Sequence, residues 1–405
     1  MAQPDVYLAV RVADAHPSSP IPMPRHLHSL DALRGVAALS VVLWHWQHFF
    51  DSKGGHFDPT QQPFYPLLAP FYRQGMKAVE LFFCLSGFVF HWLYARRIAE
   101  GSVPARSFAV LRLSRLYPLH LFTLIIVAAG EAAFQRIHGG VYLFRADDLG
   151  QLLLQLTFTA GWVPGSDGSF NGPAWSVSVE VLLYLIFFVS SRLGMIRWPH
   201  MVAFVLVGVA LVNFFDYRIG IGVVGFFMGG LAFQAFDVAR RSGPGSLKWA
   251  LACVAIGFVL VPLLHRVDLD RRFSSLICFN LIIFPASVVA LALIECSKSA
   301  PWSRFAFLGQ ISYSSYLIHF PLQLGFVLIG SILPALAINS PFYRSPASLL
   351  LFFSVLIPFS FASFHWFEKP LQDRLRRLLL AGARPARTGA PAALGPPFTD
   401  QNVRE

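Results

Sequence analysis

The sequence predicts an all-α integral membrane protein, built as a bundle of about ten membrane-spanning helices, and three observations support this fold class. Of the 405 residues, 55% are apolar and 13% are charged, whereas a soluble globular chain carries about 25% charged residues. The apolar residues form a series of runs long enough for a helix to cross a bilayer. The basic residues lie in short clusters between these runs, as orientation in a membrane requires. The net charge of +11 is therefore explained by the membrane, and nucleic-acid binding has no support.

Ten apolar runs are predicted to span the membrane, because a span needs about 20 mostly apolar residues. They lie near residues 30–50, 78–97, 113–134, 174–191, 199–216, 219–237, 248–265, 274–296, 305–332 and 346–367. One further apolar piece, LGQLLLQLTFTAGWV at 149–163, is shorter and runs into the Gly/Ser-rich loop VPGSDGSFNGP. That piece is predicted to be a re-entrant or interfacial segment rather than a span.

The distribution of basic residues between the spans supports this count. With the short piece left out, the basic loops all fall on one side together with both ends of the chain. Counting the piece as a span would place Arg192 and Arg197 on the outer side. Since cytoplasmic loops are enriched in Lys and Arg, the sequence favours ten spans with both termini in the cytoplasm, in the inner or plasma membrane of the cell.

Outside the spans, the two ends of the chain are polar and have distinct compositions. We divide the chain into a Pro-rich N-terminal segment at 1–28, a membrane domain at 29–375 and a basic tail at 376–405. The tail is rich in Ala, Pro and Gly and is predicted to be disordered. The motif Glu368-Lys369-Pro370 is interpreted as a helix stop at the inner surface. No secretory signal pattern precedes residue 30.

The cysteines give no sign of a metal site. None belongs to a CxxC pair and all lie within apolar runs, which is typical of small core residues. They are Cys84, Cys253, Cys278 and Cys296. We expect no bound metal and no permanently bound cofactor.

The first span carries two polar residues, Arg34 and His45, eleven positions apart. At about 100° per residue they share one helix face and are separated by about 16 Å along the axis. An ionised side chain at mid-membrane costs about 2.5–3.5 kcal/mol, so such residues face a protein interior or a wet cavity. The alternatives are a snorkelling arginine that fixes orientation and a core histidine hydrogen-bonded across helices.

Three later spans also carry polar residues at helical spacing. Arg112 and Arg115 lie on one face at the cytoplasmic end of the third span, where they could clamp phosphates or fix orientation. Glu180 in the fourth span needs a partner, and a histidine is the expected one. Tyr316 and His319 share a stripe with Ser312, which suits either an interhelical hydrogen-bond stripe or catalysis.

Six short motifs occur in an order that is specific as a set. They are LDALRGVAALSVVLWHW, ELFFCLSGFVF, RLSRLYPL, WSVSVEVLLYL, ISYSSYLIHFPL and FEKP. Together they resemble the acyltransferase-3 family of integral-membrane O-acyltransferases, over about residues 28–375. Two positions depart from the family pattern: Val181 stands where many members have a second acidic residue, and Cys84 replaces the usual aliphatic residue. The Ser86-Gly87 pair inside the second motif is interpreted as close helix packing rather than as a nucleophile.

The resemblance implies transfer of an acyl group, usually acetyl, from cytoplasmic acyl-CoA to a hydroxyl of a surface or secreted glycan. The family's functional positions fall on Arg34 and His45, on Arg112 and Arg115, on Trp175 and Glu180, and on Tyr316 and His319. We predict that the arginines bind the phosphates of the acyl-CoA donor. His45 is predicted to be the general base, supported by Glu180 or Glu80, with Tyr316 and His319 as further catalytic candidates.

The sequence leaves several alternatives open. A transporter of a lipid-linked or small polar solute also buries Arg, Glu and His, although no repeated halves are visible. A membrane scaffold without enzymatic activity is a third alternative. The identity of the acceptor, the size of the acyl group, direct transfer against an acyl-enzyme, and the oligomeric state all stay undecided.

Overall fold

The computed structural model describes residues 26–50, 57–143, 148–164, 168–243, 245–266, 270–297 and 301–381. Throughout these residues the regular structure is helical, with no strand, which confirms the predicted all-α class. The helices are α1 (His28–Trp44), α2 (Tyr65–Gln74), α3 (Lys77–Phe90), α4 (Arg96–Ala99), α5 (Ala105–His138), α6 (Leu149–Leu156), α7 (Trp175–Arg192), α8 (Trp198–Phe214), α9 (Tyr217–Ala239), α10 (Gly245–Arg266), α11 (Arg271–Ser275), α12 (Phe284–Ser297), α13 (Ala306–Gln310), α14 (Ser312–Gly330), α15 (Pro346–Ala362) and α16 (Lys369–Leu380).

Every predicted span falls on a helix, and seven helical stretches in the described chain are long and apolar enough to cross a membrane. They are Lys77–Ala99, Ala105–His138, Gly172–Arg192, Tyr217–Ala239, Gly245–Leu264, Arg272–Cys296 and Pro346–Leu380. The remaining three predicted spans correspond to α1, α8 and α14, which are shorter or less apolar. A polytopic helical bundle is therefore confirmed, whereas the number ten and the cytoplasmic position of both termini stay predictions.

The short apolar piece forms α6, a helix of 8 residues. Such a helix rises about 12 Å, much less than the apolar thickness of a bilayer, about 30 Å. Gln155 of α6 donates a hydrogen bond to the carbonyl oxygen of Ser169, and its own carbonyl oxygen lies 2.8 Å from Nε2 of His120 in α5. The segment thus packs against α5, and its helix is too short to span; a re-entrant or interfacial position stays a prediction.

The centre of the bundle is formed by α3 and α9, whose backbones lie in direct contact. A Cβ atom added at Gly87 would lie 1.8 Å from the carbonyl oxygen of Phe226, and one added at Gly229 would lie 2.0 Å from that of Cys84. Small residues allow this close approach of membrane helices. The packing role predicted for the Ser86-Gly87 pair is therefore confirmed for the glycine. None of the four cysteines, all within the described residues, forms a disulfide.

Burial separates central from peripheral helices. Within the apolar window of each stretch, 83% of the residues are buried for Lys77–Ala99 but 11% for Gly245–Leu264. Exposed apolar side chains such as Phe258 and Val259 therefore mark α10 as a lipid-facing helix. The charged site residues Arg112 and Arg115 lie on a stretch whose window is 44% buried, and Glu180 lies on one that is 61% buried.

The end of the chain differs from the prediction at one point. Glu368-Lys369-Pro370 does not stop the helix: a wide helical turn at Ser363–Glu368 leads directly into α16, and Pro370 follows that turn. Buried Glu368 accepts hydrogen bonds from Ser314 and Ser363, which ties this turn to α14. Residues 376–380, assigned to the tail, are thus helical, while 382–405 and the N-terminal 1–25 lie outside the described residues.

Candidate active site

Five central helices, α1, α3, α5, α7 and α14, surround a cavity with about 840 Å³ of empty space, its mouth included. Its lining combines phenylalanine and aliphatic side chains with a group of polar ones. The polar ones are Arg34, Ser86, Arg112, Arg115, Ser176, Glu180, Tyr184, Ser312, Tyr313 and Tyr316. Five of the seven predicted site residues thus line one cavity. The other two, His45 and His319, are not part of its lining, although the ring centre of His319 lies 6.0 Å from that of Tyr316.

Arg112 is a buried cation without a counter-ion in the described part of the chain. Its side chain is 6% exposed, and its guanidinium carbon lies 4.6 Å from the ring centres of both Phe90 and Tyr94. Its Nε has no hydrogen-bond partner among the described residues. Aromatic faces attract a guanidinium but do not replace its hydration. An anion entering the cavity would therefore find a donor that is already desolvated and positioned.

Arg115 and Arg34 add to the positive charge of the same cavity. Arg115 lies one turn after Arg112 on α5, and Arg34 on α1 is 3.6 Å from Asp31. The lining contains three arginines and one carboxylate, that of Glu180. The excess of positive charge makes the cavity suited to a ligand that carries several negative charges.

Glu180 has hydroxyl partners rather than the histidine expected from the sequence. Its Oε1 accepts hydrogen bonds from Tyr184 at 2.6 Å and from Ser86 at 3.2 Å. The alternative carboxylate, Glu80, binds Lys77 at 2.7 Å and accepts a hydrogen bond from Asn280. Both carboxylates are thus engaged away from the histidines: Glu180 by hydroxyls of α3 and of its own helix, and Glu80 by a lysine of its own helix and by Asn280 in the helical turn Leu276–Ile283.

Tyr316 lines the cavity and lies next to the histidine pair, with its ring centre 6.0 Å from that of His319. Its hydroxyl donates a hydrogen bond to the carbonyl oxygen of Pro173 at 2.7 Å and lies 2.7 Å from Oγ of Ser176. These contacts join α14 to the start of α7. Ser312 instead donates to the carbonyl oxygen of Gly309, within its own turn. The predicted stripe therefore divides: Ser312 and Tyr316 face the cavity, and His319 lies one turn farther along α14.

His45 and His319 form a buried pair. His45 is 5% exposed and His319 is fully buried, and Nε2 of His319 lies 3.1 Å from Nδ1 of His45. Gln323, one turn after His319, donates a hydrogen bond to the carbonyl oxygen of His45 at 3.0 Å. The ring of His48 is also close, 4.8 Å from that of His45. Sequence reasoning named both members of the pair but missed Gln323 and His48. The available signal was helical spacing, of Gln323 from His319 and of His48 from His45.

A second group of polar residues lies where α1 begins. His26, His28 and Asp31 have ligand atoms within 4.8 Å of one another, a combination that could hold a metal ion. The carboxylate of Asp31 is already bonded, however, at 2.6 Å to Nε2 of His26 and at 3.6 Å to Arg34. The group therefore serves first to hold the start of α1 and the position of Arg34.

Comparison with known proteins gives one extensive and two partial matches. The family model described as an acyltransferase domain matches residues 27–365. The acyltransferase MdmB of Streptomyces mycarofaciens is 34% identical over 171 residues, which cover 40% of this chain and 38% of that protein. Protein 2 in the picA locus of Rhizobium radiobacter is 36% identical over 106 residues, which cover 26% of this chain and 46% of that protein. The matches thus span less than half the length of each relative, and no solved structure matches significantly.

The family match includes both the arginine-lined cavity and the histidine pair. It covers most of the chain and agrees with the six motifs and with the helical membrane fold. An acyltransferase is therefore favoured over a transporter or a scaffold. The chain belongs to the acyltransferase-3 family of membrane acyltransferases.

Proposed function

We propose that the protein transfers an acyl group, which we take to be acetyl, from cytoplasmic acyl-CoA to a hydroxyl of a surface or secreted glycan. The observation that carries this proposal is the cavity in which three arginines face one carboxylate, directly before a buried histidine pair. The arginine-lined cavity suits binding of the acyl donor, and the histidine pair suits activation of the acceptor hydroxyl.

The donor half is suited to coenzyme A because that molecule carries several phosphates. Arginine binds phosphate through paired, charge-assisted hydrogen bonds. Arg112 is buried without a counter-ion among the described residues, so a phosphate would supply the partner that the protein does not. In the predicted orientation, Arg112 and Arg115 lie toward the cytoplasmic end of α5, the side on which acyl-CoA is available.

The distance between the two halves suits the pantetheine arm of the donor. Arg34 and His45 are both on the first span, about 16 Å apart along its axis. Between these levels the cavity presents Glu180, Tyr184 and Ser86, which offer hydrogen-bond acceptors and donors to the amide groups of such an arm. The thioester would then reach the wall formed by Tyr316, next to the histidines.

The acceptor half supplies the base. A neutral imidazole, with an ordinary pKa near 6.5, accepts a hydroxyl proton at neutral pH. As His45 takes the proton, the hydroxyl oxygen attacks the thioester carbonyl, the carbon–sulfur bond breaks, and the thiolate leaves. The proton then passes to the thiolate, so that the products are the ester and the free thiol of coenzyme A. An acyl-enzyme route would give the same products in two steps.

The acceptor arrives from the side opposite to the donor, since His45 lies at the far end of α1 from Arg34. A carbohydrate hydroxyl presented outside the cell fits this arrangement. We accordingly place the protein in the inner or plasma membrane, with the bilayer separating its two substrates.

The experiment that tests the proposal is mass spectrometry of surface and secreted glycans from a deletion strain complemented with variants. His45→Gln and His91→Gln are a matched pair, because both histidines are buried and hold Nδ1 near a carbonyl one turn earlier. We expect an acetyl-sized mass to vanish in the deletion strain, to stay absent with His45→Gln, and to return with His91→Gln. Unchanged glycans in the deletion strain would contradict a glycan acceptor, and full recovery with His45→Gln would contradict His45 as the base.

A further inference from the structure

We propose that His319 is a positioning residue that accepts the Nδ1 hydrogen of His45 and holds its ring in place, so that Nε2 of His45 is the nitrogen that takes the acceptor's proton. The inference deepens the proposed function and rests on it, since it concerns the same base. It assigns to an imidazole the orienting role that the sequence assigned to a glutamate.

The first step concerns Nδ1 of His45. This atom lies 3.0 Å from the carbonyl oxygen of Val41, one turn earlier on α1. A carbonyl oxygen can only accept a hydrogen bond, and a neutral imidazole carries its hydrogen on one of its two nitrogens. The contact is therefore favourable when Nδ1 of His45 carries the hydrogen. The lone pair of the neutral ring is then on Nε2.

The second step concerns the partner ring. Nε2 of His319 lies 3.1 Å from the same Nδ1 atom. Because Nδ1 of His45 carries the hydrogen, Nε2 of His319 is the acceptor, and neutral His319 holds its own hydrogen on Nδ1. The reverse assignment would leave a nitrogen lone pair facing the Val41 carbonyl at 3.0 Å. The Val41 carbonyl thus opposes the other tautomer, and Nε2 of His319 is a second acceptor that holds the same hydrogen of His45.

The backbone of His45 is held by the same helix that holds its ring. The regular part of α1 ends at Trp44, and a tighter 3-10 turn follows at His45–Phe49. The carbonyl of His45 accepts a hydrogen bond from Gln323, which lies one turn after His319 on α14. Both contacts come from one face of α14, so the position and the rotation of the imidazole are fixed together.

The arrangement leaves one nitrogen available. Within the described residues, Nε2 of His45 has no hydrogen-bond partner, while both carboxylates of the region are bonded elsewhere. A general base must come within about 2.6–3.2 Å of the proton that it takes. A neutral orienting group also differs from the aspartate of serine hydrolases, which stabilises an imidazolium by its charge. His319 holds the orientation of the His45 ring without adding a negative charge to the buried pair.

The test compares two substitutions of similar volume. His319→Gln keeps an acceptor oxygen close to the position of Nε2, whereas His319→Met fills the space without one. Each variant would be purified in lipid nanodiscs and assayed for release of coenzyme A thiol from acetyl-CoA, with a glycan extract of the deletion strain as acceptor. We expect His319→Met to lower kcat by about 100-fold or more and His319→Gln to lower it by less than about tenfold, both with unchanged KM for acetyl-CoA.

The remaining outcomes each overturn the proposal. Wild-type kcat in His319→Met would show that His45 needs no acceptor there. A His319→Gln variant as slow as His319→Met would show that the His319 imidazole itself moves a proton, and an effect on KM alone would show a donor-binding role. Coenzyme A binding by each variant controls for folding, and His319→Leu replaces the methionine variant if that one does not accumulate. Absence of acetyl-CoA-dependent thiol release by the wild type would instead contradict the proposed function.

Discussion

At the residue scale, the unusual feature of the cavity is a guanidinium surrounded by aromatic rings. Burying an ionised group without a partner costs several kcal/mol after relaxation. The contacts of the Arg112 guanidinium with the rings of Phe90 and Tyr94 offset part of this free energy. A buried arginine in these surroundings points to a ligand that supplies the missing negative charge.

This environment predicts opposite effects of one substitution on binding and on stability. Arg112→Met should weaken coenzyme A binding by about 10-fold to 100-fold, since a hydrogen bond to a charged group contributes about 1.5–3 kcal/mol. It should not lower the melting temperature without ligand, because it removes an unpaired buried charge. Calorimetric titration with coenzyme A and thermal unfolding measure the two effects.

Exposed Arg97, in α4, provides the control for the binding measurement. Arg97→Gln should leave the affinity for coenzyme A unchanged at physiological salt, where exposed charges are screened within about 8 Å. Equal losses for the Arg97 and Arg112 variants would mean that general surface charge, and not the cavity, attracts the donor.

Glu180 leads to a second prediction at this scale. It is the one carboxylate in the described lining of the cavity, and its partners are hydroxyls. Glu180→Gln keeps the size and the hydrogen bonds but removes a negative charge beside three arginines. Coenzyme A should therefore bind more tightly, by a few-fold, while turnover stays within about tenfold of the wild type. A variant that turns over about 100-fold more slowly at unchanged donor affinity would contradict this expectation. It would support the carboxylate–histidine pairing that the sequence predicts.

Helical spacing shows which residues share one face of a helix, but not which residues of other helices that face contacts. Arg112 with Arg115, and Tyr316 with His319, were found from their spacing within one span. The contact between His45 and His319 joins positions 274 residues apart, and no periodicity within a single helix carries that information. The same limit explains why the sequence assigned a histidine partner to Glu180: the charge needed a partner, and serine and tyrosine hydroxyls give no comparable signal.

At the element scale, the contact of α3 with α9 depends on glycine. Gly229→Ala would place a Cβ atom 2.0 Å from the carbonyl oxygen of Cys84, so the two helices would have to separate. We expect a loss of stability of about 1–3 kcal/mol, the usual cost of overpacking, measured as a lower melting temperature in detergent.

Gly325 in α14 is the matched control, since an added Cβ atom would meet no atom within 4 Å. Gly325→Ala should leave stability unchanged or raise it by up to about 1 kcal/mol, through the better helix propensity of alanine. If Gly229→Ala proved as stable as Gly325→Ala, the close packing of α3 and α9 would not determine the stability of the bundle.

Element positions were predicted better than element ends. Hydropathy located the seven long apolar stretches and the helices α1, α8 and α14 because these apolar runs are long, and it distinguished α6 because that run is short. The stop assigned to Glu368-Lys369-Pro370 failed because the wide turn at Ser363–Glu368 carries the helix past the proline. The amphipathic pattern of KPLQDRLRRLLL was the signal for that helix.

At the scale of the whole molecule, the orientation in the membrane is the prediction that most directly affects function. With ten spans and both termini in the cytoplasm, the arginine end of the cavity faces acyl-CoA. A fluorescent protein fused after Glu405 should therefore fluoresce, and alkaline phosphatase at the same position should be inactive. A reporter in the loop after α1, near Pro59–Gln61, should give the reverse result. Active phosphatase at both positions would mean an odd number of spans, whereas active phosphatase at the C-terminus with fluorescence in the loop would mean a reversed orientation that places the donor cavity on the wrong side.

Tyr316 separates the two halves of the site, and this separation bears on the membrane as a barrier. Its hydroxyl is bonded to the start of α7, and its side chain lines the cavity one turn before His319. A protein that joins a cytoplasmic donor to an external acceptor risks forming a continuous water path, which would dissipate ion gradients and let water consume the thioester. In the proposed reaction, the contacts of the Tyr316 hydroxyl with Pro173 and Ser176 would stand in that path. A residue that lines the candidate cavity would then also limit leakage across the bilayer.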